Sequence, residues 1–108
     1  MRYQVLLTEG AEHDPEELYD YIAAHDSPTA ADHVLSRILE ISDDLATAPN
    51  RGSHPKELLE LGIRDFRQTF FKPYRLIYRV LDKRVVIYLI VDGRRDLQSV
   101  LTRRLLAG

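Results

Sequence analysis

The side chains best suited to chemistry in this sequence are arginines of its second half. The candidates are Arg67, Arg75, Arg79, Arg94 and Arg95. A guanidinium group is a planar fork of N–H donors that binds phosphate or carboxylate oxygens in pairs. Tyr88 and Asp92 lie in the same part of the chain and are the candidates for giving or taking a proton. The segment is therefore rich in cations for an anionic partner and poor in acid and base groups.

The charge of the chain is divided along its length. Residues 1 to 48 contain eleven acidic and two basic residues, whereas residues 49 to 108 contain six acidic and thirteen basic ones. The formal net charge of −2 is therefore the sum of −9 on residues 1–48 and +7 on residues 49–108. This division predicts one acidic and one basic surface, of which the basic one is a candidate interaction surface. The alternative is an ordinary solvated surface on which the two halves neutralise each other.

The composition narrows the class of protein. A chain of 108 residues, 44% of them hydrophobic, predicts a single domain over residues 1–108 and excludes a multidomain machine. The longest apolar run, residues 85–91, is too short to cross a bilayer, and the first residues show no signal-peptide pattern. We therefore expect a cytoplasmic protein that does not engage membranes. The sequence has no cysteine, phosphate-binding glycine motif or metal-ligand spacing, so we expect no cofactor and no metal.

The elements that must position the arginines begin with a strand and two helices. Residues 3–8 are rich in strand formers. Asp14 and Pro15 predict a helix start, with Asp14 as the cap. Ser27-Pro28 predicts a second start, and apolar residues then recur every three or four positions until Pro49. Because the connection is so short, the two helices should form an antiparallel hairpin.

The second half changes to the period of a strand. Residues 63–71, 74–81 and 84–91 predict three strands, and Asp82-Lys83 is a tight turn between the last two. In a simple register Leu81 faces Arg84 and Arg79 faces Val86, and the pairs Ile77 with Tyr88 and Arg75 with Ile90 follow. Asp96 then predicts the start of a short C-terminal helix.

This register assigns the side chains of the hairpin to two faces of the sheet. One face should pack on the helices and carries Leu76, Tyr78, Val80, Val85, Ile87 and Leu89. The other face is mixed, carries Arg75, Ile77, Arg79, Val86, Tyr88, Ile90 and at its end Asp92, and is the candidate site. The element order predicts an α+β fold with the helices on one side of a small sheet.

Five runs of the sequence bear on its family. They are residues 18–22 (LYDYI), Ser27-Pro28 before Ala30-Ala31-Asp32, residues 49–52 (PNRG), residues 73–80 (PYRLIYRV) and residues 93–96 (GRRD). In this order, over essentially the whole chain, they resemble the RelE/ParE superfamily of bacterial toxins, which includes plasmid stabilisation proteins. The resemblance implies a strand, a two-helix hairpin, a three-stranded antiparallel meander joining the first strand in one sheet, and a short C-terminal helix.

The resemblance also implies a role in a type II toxin–antitoxin module, but it covers two mechanisms. RelE-like members cleave messenger RNA on the ribosome, whereas ParE-like members inhibit DNA gyrase by binding. Many relatives carry histidine where this chain has Asp92, and no aromatic residue follows Tyr88 to act as a helix-terminal acid. We therefore expect a ParE-like, non-enzymatic inhibitor. The alternatives are a ribosome-dependent mRNA endonuclease using Arg67, Arg75, Arg79, Tyr88 and Asp92, and a degenerate copy that only binds its antitoxin.

The expected partners follow from the same resemblance. A cognate antitoxin should bind the toxin in a hetero-oligomer and neutralise it, and the toxin alone should not bind DNA directly. The predicted contact residues for the antitoxin or the target are Arg67, Arg75, Arg79, Tyr88, Arg94 and Arg95. Arg94 and Arg95 are equally suited to holding the last helix against the sheet. Arg75 and Arg79, which lie on one face of a predicted strand, instead favour a binding surface for an acidic partner. Asp92, between cations, is expected to be ion-paired.

Overall fold

The computed structural model describes residues 2–106, which form one four-stranded sheet and four helices. In chain order the elements are β1 (Gln4–Leu7), α1 (Glu9–His25), α2 (Pro28–Asp44), α3 (Lys56–Leu59), β2 (Phe66–Phe71), β3 (Tyr74–Leu81), β4 (Arg84–Asp92) and α4 (Leu97–Leu106). The strand order is β1-β4-β3-β2, with β1 parallel to β4 and the other pairs antiparallel. The predicted α+β architecture is confirmed. Within residues 2–106, none of the helices is long and apolar enough to cross a membrane.

The predicted helix hairpin is present, but its first helix begins earlier than expected. Helix α2 begins after Ser27, whose hydroxyl accepts the Ala30 N–H at 3.0 Å. Helix α1 begins directly after β1, where the Thr8 hydroxyl accepts the Ala11 N–H at 3.2 Å. Asp14 is therefore not the cap; it lies inside α1 and is buried. Its carboxylate serves a tertiary contact, which local sequence signals do not report.

The helix hairpin covers one face of the sheet with a continuous apolar core. The buried members of this core are Ala11, Ile38, Leu45, Leu76, Tyr78, Val85, Ile87 and Ile90. Ile38 is 1% exposed, whereas the next residue of α2, Leu39, is 56% exposed. The 3.6-residue period that predicted α2 thus places one side chain fully in the core and its neighbour in solvent.

The predicted pairing of β3 with β4 is correct near the turn and wrong beyond it. Leu81 faces Arg84 and Arg79 faces Val86 across the predicted tight turn, where Asp82 adopts a left-handed φ of 55°. A register shift then intervenes, so that Ile77 faces Leu89 and Arg75 faces Val91. The extra residue is Tyr88, since Tyr78 already faces Ile87. Such a bulge reverses the alternation of every later side chain in its strand.

The bulge exchanges two apolar side chains between the faces of the sheet. Ile90 lies in the core under the helix hairpin, and Leu89 lies on the opposite face; both placements reverse the prediction. Asp92 pairs with Tyr74 and therefore also lies on the helix-hairpin side. The opposite face is not an open mixed surface, because α3 and α4 cover it. Its core consists of Leu58, Phe66, Ile77, Leu89, Val91, Leu97 and Leu101. The helices thus pack on both faces, not on one.

A buried ion pair joins the two ends of the chain at the edge of β4. The carboxylate of Asp14 accepts two hydrogen bonds from the Arg104 guanidinium, each 2.9 Å long, and the Ile90 N–H at 2.9 Å. Arg104 also donates to the Tyr88 carbonyl at 2.8 Å. Beyond the end of β1, the Tyr88 carbonyl and the Ile90 N–H of β4 have no strand partner. The side chains of Arg104 and Asp14 provide their hydrogen bonds instead.

Replacing Ile38 by aspartate should unfold the protein. The carboxylate would lie unpaired in the core under the helix hairpin, and we expect a loss of about 4 kcal/mol or more in the free energy of unfolding. Leu39→Asp is the matched control, because the same charge one position along lies in solvent and should change stability by about 0.5 kcal/mol or less. Urea denaturation followed by circular dichroism distinguishes the two variants. An Ile38→Asp variant with the wild-type midpoint would contradict the observed core.

Removing the cation of the buried pair should also destabilise the fold. The Asp14 side chain is only 7% exposed, and Arg104→Gln would leave its carboxylate without a counter-ion. We therefore expect the free energy of unfolding to fall by about 3 kcal/mol. Arg103→Gln, on the exposed side of the same helix, should have little effect. Urea denaturation midpoints measure both changes, and equal midpoints for the two variants would show that the pair does not stabilise the fold.

Candidate functional site

The sheet separates the arginines that the sequence grouped together. Arg67 pairs across the sheet with Tyr78 and lies on the helix-hairpin side, whereas Arg75 and Arg79 lie on the side of α3 and α4. The Arg67 guanidinium donates to the Gly52 carbonyl at 2.9 Å. It thereby fixes the loop between α2 and α3, whose Gly52 N–H also donates to the Tyr78 hydroxyl at 3.1 Å. Arg67 is thus engaged within the chain.

Arg75 is held by its own protein. Its guanidinium donates to both carboxylate oxygens of Glu57, at 2.9 and 3.1 Å, and to the side-chain carbonyl of Gln68. The Arg75 side chain is 11% exposed and that of Glu57 is 17% exposed. The hydrogen bonds from Arg75 lower the pKa of the Glu57 carboxyl, so the pair stays ionised.

Arg79 and Tyr88 are the other two predicted residues on this face. The Arg79 guanidinium lies 5.9 Å from the centre of the Phe66 ring, in a cation–π contact. The ring of Tyr88 meets the same Phe66 edge-on, at 5.1 Å between centroids. Both side chains are half-buried. Phe66 therefore links them, and Tyr88 is a packing residue of the bulge.

Asp92, Arg94 and Arg95 lie at the turn between β4 and α4. Arg94 donates to the Asp92 carboxylate from Nε at 3.0 Å and from Nη2 at 2.6 Å. These hydrogen bonds lower the pKa of Asp92, which confirms the expectation that it is ion-paired. Arg94 and Arg95 are exposed, so the cations nearest to Asp92 face solvent.

A cleft of about 980 Å³ separates α1 from α4 and has the end of β4 as its floor. The α4 side contributes Arg94, Arg95 and Arg103, and the α1 side contributes Glu9, Glu17 and Tyr21. Tyr21 is 61% exposed, and its ring stacks on that of His25 with 4.1 Å between centroids. The cleft thus has a basic wall on the α4 side and, on the α1 side, an acidic wall that also carries an exposed aromatic ring.

The sequence prediction missed three residues that organise these surfaces. Glu57 lies in α3, a helix that is not among the predicted elements. Asp14 is predicted as a helix cap, and Arg104 is not among the predicted site residues, yet the two form an ion pair. The partners of these three residues lie 16 to 90 positions away in the chain, so no local pattern marks them. The one signal available was Asp14 itself, an acidic residue at a core-facing position of a helix.

Within residues 2–106 there is no group of three or more histidine, cysteine, aspartate or glutamate side chains placed to hold a metal ion.

Comparison with solved structures identifies the class of fold. One similar structure is the "Chromosomal ParDE TA system from P. aeruginosa", with a TM-score of 0.70 and 20% identity over 84% of this chain and 96% of that one. Another is the toxin–antitoxin complex RelBE2 (Rv2865-2866) from Mycobacterium tuberculosis, with a TM-score of 0.62 and 25% identity over 85% of this chain and 99% of that one. The fold is that of the RelE/ParE toxins.

The sequence assigns the family within that fold. The family described as "ParE toxin of type II toxin-antitoxin system, parDE" matches residues 5–97. The chain belongs to this ParE toxin family. No curated protein matches the sequence closely enough to count as a relative.

The ion pair of Arg75 should make stability depend on pH in the acid range. The pKa of Glu57 is lowered from its ordinary value of 4.5, so the pair contributes its full stability above that value and loses it as the pH falls through the lower, folded-state pKa. The difference in unfolding free energy between wild type and Glu57→Gln should therefore be constant near neutral pH and shrink below about pH 4.5. Urea titrations from pH 7 to pH 3 measure it. Glu60→Gln, which is exposed, is the control, and a difference that does not change with pH would contradict the ion pair.

Proposed function

We propose that this protein is the toxin of a type II toxin–antitoxin module, that a cognate antitoxin neutralises it, and that the free toxin inhibits DNA gyrase by binding. The proposal places its action in the cytoplasm, where gyrase works. Membership of the ParE family supports the role as a toxin of a type II toxin–antitoxin system. The named target is the part of the proposal that experiment must test.

The positions of the predicted catalytic groups support a binding mechanism rather than RNA cleavage. Metal-free RNA cleavage needs a base, an acid and a cation within reach of a single phosphate. Here Arg67 lies across the sheet from Arg75, the Arg75 guanidinium is bound to Glu57, and the Asp92 carboxylate is bound to Arg94. The candidate groups do not converge on one point, and the Arg75 guanidinium and the Asp92 carboxylate are engaged within the chain. This geometry favours a non-enzymatic inhibitor.

An antitoxin partner is supported by the described relatives and by the surface of the protein. Both similar structures are toxin–antitoxin systems by their descriptions. Among the predicted contact residues, Arg94 and Arg95 are the exposed ones, and they line the cleft beside Tyr21. Exposed cations next to an exposed aromatic ring suit a partner segment that carries carboxylates and apolar side chains. We propose that this cleft is part of the antitoxin surface.

The RelE-like activity is the second candidate, and one comparison is consistent with it. The RelBE2 toxin–antitoxin complex shares 25% identity with the chain over 85% of this chain and 99% of that one. In this alternative, the protein would cleave messenger RNA on the ribosome. The two candidates differ in which macromolecular synthesis stops first in the cell.

Controlled expression without antitoxin distinguishes the candidates. We expect DNA synthesis, measured by pulse labelling, to stop before protein synthesis, and we expect co-expression of the neighbouring antitoxin gene to restore both. Purified toxin should then inhibit supercoiling by purified gyrase and leave messenger RNA intact on translating ribosomes. Protein synthesis that stops first, with cleaved messenger RNA, would support the RelE-like activity instead. A folded protein that binds the antitoxin and affects neither process would be a degenerate toxin.

A further inference from the structure

The cleft between α1 and α4 lies where the sheet lacks a strand. Strand β1 pairs with β4 as far as Ile87, and the Thr8 N–H donates to the Ile87 carbonyl at 3.0 Å. Strand β4 then continues to Asp92, and its residues 88–92 form the floor of the cleft. The chain itself leaves the sheet after Thr8 to form α1. The cleft therefore occupies the position that a longer β1 would have filled beside β4.

The ion pair of Asp14 and Arg104 fills the first part of this position in the manner of a strand. In a parallel ladder, one residue donates its N–H to a carbonyl of the neighbouring strand and accepts the N–H two residues further along. Arg104 donates to the Tyr88 carbonyl at 2.8 Å, and Asp14 accepts the Ile90 N–H at 2.9 Å. The two side chains thus replace one residue of a parallel strand and close that part of the edge.

The next two backbone groups of β4 face the cleft. Ile90 lies opposite Leu76 of β3, but its N–H points away from that strand, to Asp14. Because a residue of an antiparallel pair directs both of its hydrogen bonds to its partner or neither, the Ile90 carbonyl also points to the cleft. The Asp92 N–H, two residues further, has the same direction. Within residues 2–106, no hydrogen bond from a loop, a helix or a side chain reaches either group.

A strand in this position would direct its side chains alternately to the two walls of the cleft. Val91 lies on the face that α4 covers, and Ile90 lies on the face of the helix hairpin. Since paired residues in a sheet share a face, a residue beside Val91 would point to α4, and its two neighbours in sequence would point to α1. The residue beside Val91 is also the one that would bind the Ile90 carbonyl and the Asp92 N–H.

The charges of the walls determine which side chains suit these positions. The α4 wall carries Arg95 and Arg103, and the α1 wall carries Glu17 and Tyr21, all of them exposed. A carboxylate on the residue beside Val91 would meet the arginines. A lysine on each neighbour would bring its ammonium group to Glu17 and pack its aliphatic stem on the Tyr21 ring. The reverse order would place like charges together.

We infer that the cleft binds an extended segment of a partner protein, which adds to β4 as a parallel strand and carries an acidic residue between two basic ones. The inference rests on the proposed antitoxin surface, and it adds the conformation, direction and charge order of the segment. It requires neither gyrase nor RNA as the target of the toxin. A helix does not suit this position, because its backbone groups are already paired with one another.

The test uses a fluorescent, threonine-rich synthetic peptide with the order lysine–glutamate–lysine at its centre. Its control has the same composition and the order glutamate–lysine–lysine, which places a lysine on the α4 wall in either register. Fluorescence anisotropy should show about tenfold tighter binding of the first peptide to the wild type. The double variant Arg95→Gln/Arg103→Gln should lose this preference. Arg64→Gln removes an exposed arginine outside the cleft and should retain it.

Methylation of single peptide nitrogens tests the strand itself. The N–H of the central glutamate would donate to the Ile90 carbonyl, whereas the N–H of the following lysine would point away from β4. Methylating the glutamate nitrogen should therefore weaken binding about tenfold, and methylating the lysine nitrogen should change it little. On the protein, bound peptide should slow hydrogen exchange of the Asp92 N–H, measured by NMR, and leave that of Val91, which faces β3, unchanged.

Equal effects of the two methylations, an unchanged exchange rate at Asp92, or absence of peptide binding would each overturn the inference. Competition with the antitoxin encoded beside the toxin separates this result from the proposed function. Displacement of the peptide by the antitoxin would support the inference. An antitoxin that neutralises the toxin without displacing the peptide would contradict the inference and leave the proposed toxin function standing. Failure of any antitoxin to neutralise the toxin would instead contradict the proposed function.

Discussion

Strand β1 ends at Leu7, but its neighbour β4 continues to Asp92. The backbone groups along the part of β4 that has no neighbouring strand therefore need other hydrogen-bond partners. Asp14 and Arg104 are such partners: one accepts from the Ile90 N–H and the other donates to the Tyr88 carbonyl. Their mutual pair fixes α1, β4 and α4 relative to one another. Both side chains also line the cleft between α1 and α4. The part of the edge that this side-chain pair satisfies is also closed to pairing with another strand.

The bulge lies at the same edge. The extra residue is Tyr88, whose carbonyl accepts from Arg104, and Ile90, two positions further along β4, donates its N–H to Asp14. The bulge then turns Leu89 and Val91 toward α4 and Ile90 toward the helix hairpin. One additional residue in β4 thus supplies an apolar surface to each of the two helical layers. Gly10 contributes space, because a Cβ there would lie 3.0 Å from the Arg104 side chain.

The sequence is sufficient to predict the elements and their order, and insufficient to predict which face the later residues of β4 occupy. The helices and the hairpin turn follow from period, caps and turn residues, which act locally. Residues 85–91 are apolar without interruption, so the alternation that would reveal a register shift is absent. For the candidate site, the arginines were recognisable by type, but their partners were not. The Arg67 guanidinium donates to a backbone carbonyl, and the Arg75 guanidinium donates to the Glu57 carboxylate. Both hydrogen bonds join residues that are far apart in the sequence.

The proposal of an inhibitor rather than a ribonuclease rests on what surrounds the arginines. An exposed guanidinium at the position of Arg75 would be available to a phosphate, whereas here a carboxylate of the same chain neutralises it. The ion pair with Glu57 holds α3 against the sheet, and it also makes the Arg75 guanidinium unavailable to an external anion. Of the candidate arginines, Arg94 and Arg95 are exposed, and they line the cleft together with Tyr21. The distribution of these arginines is the basis for proposing a binding mechanism, because Arg75 is held by Glu57 whereas Arg94 and Arg95 face solvent.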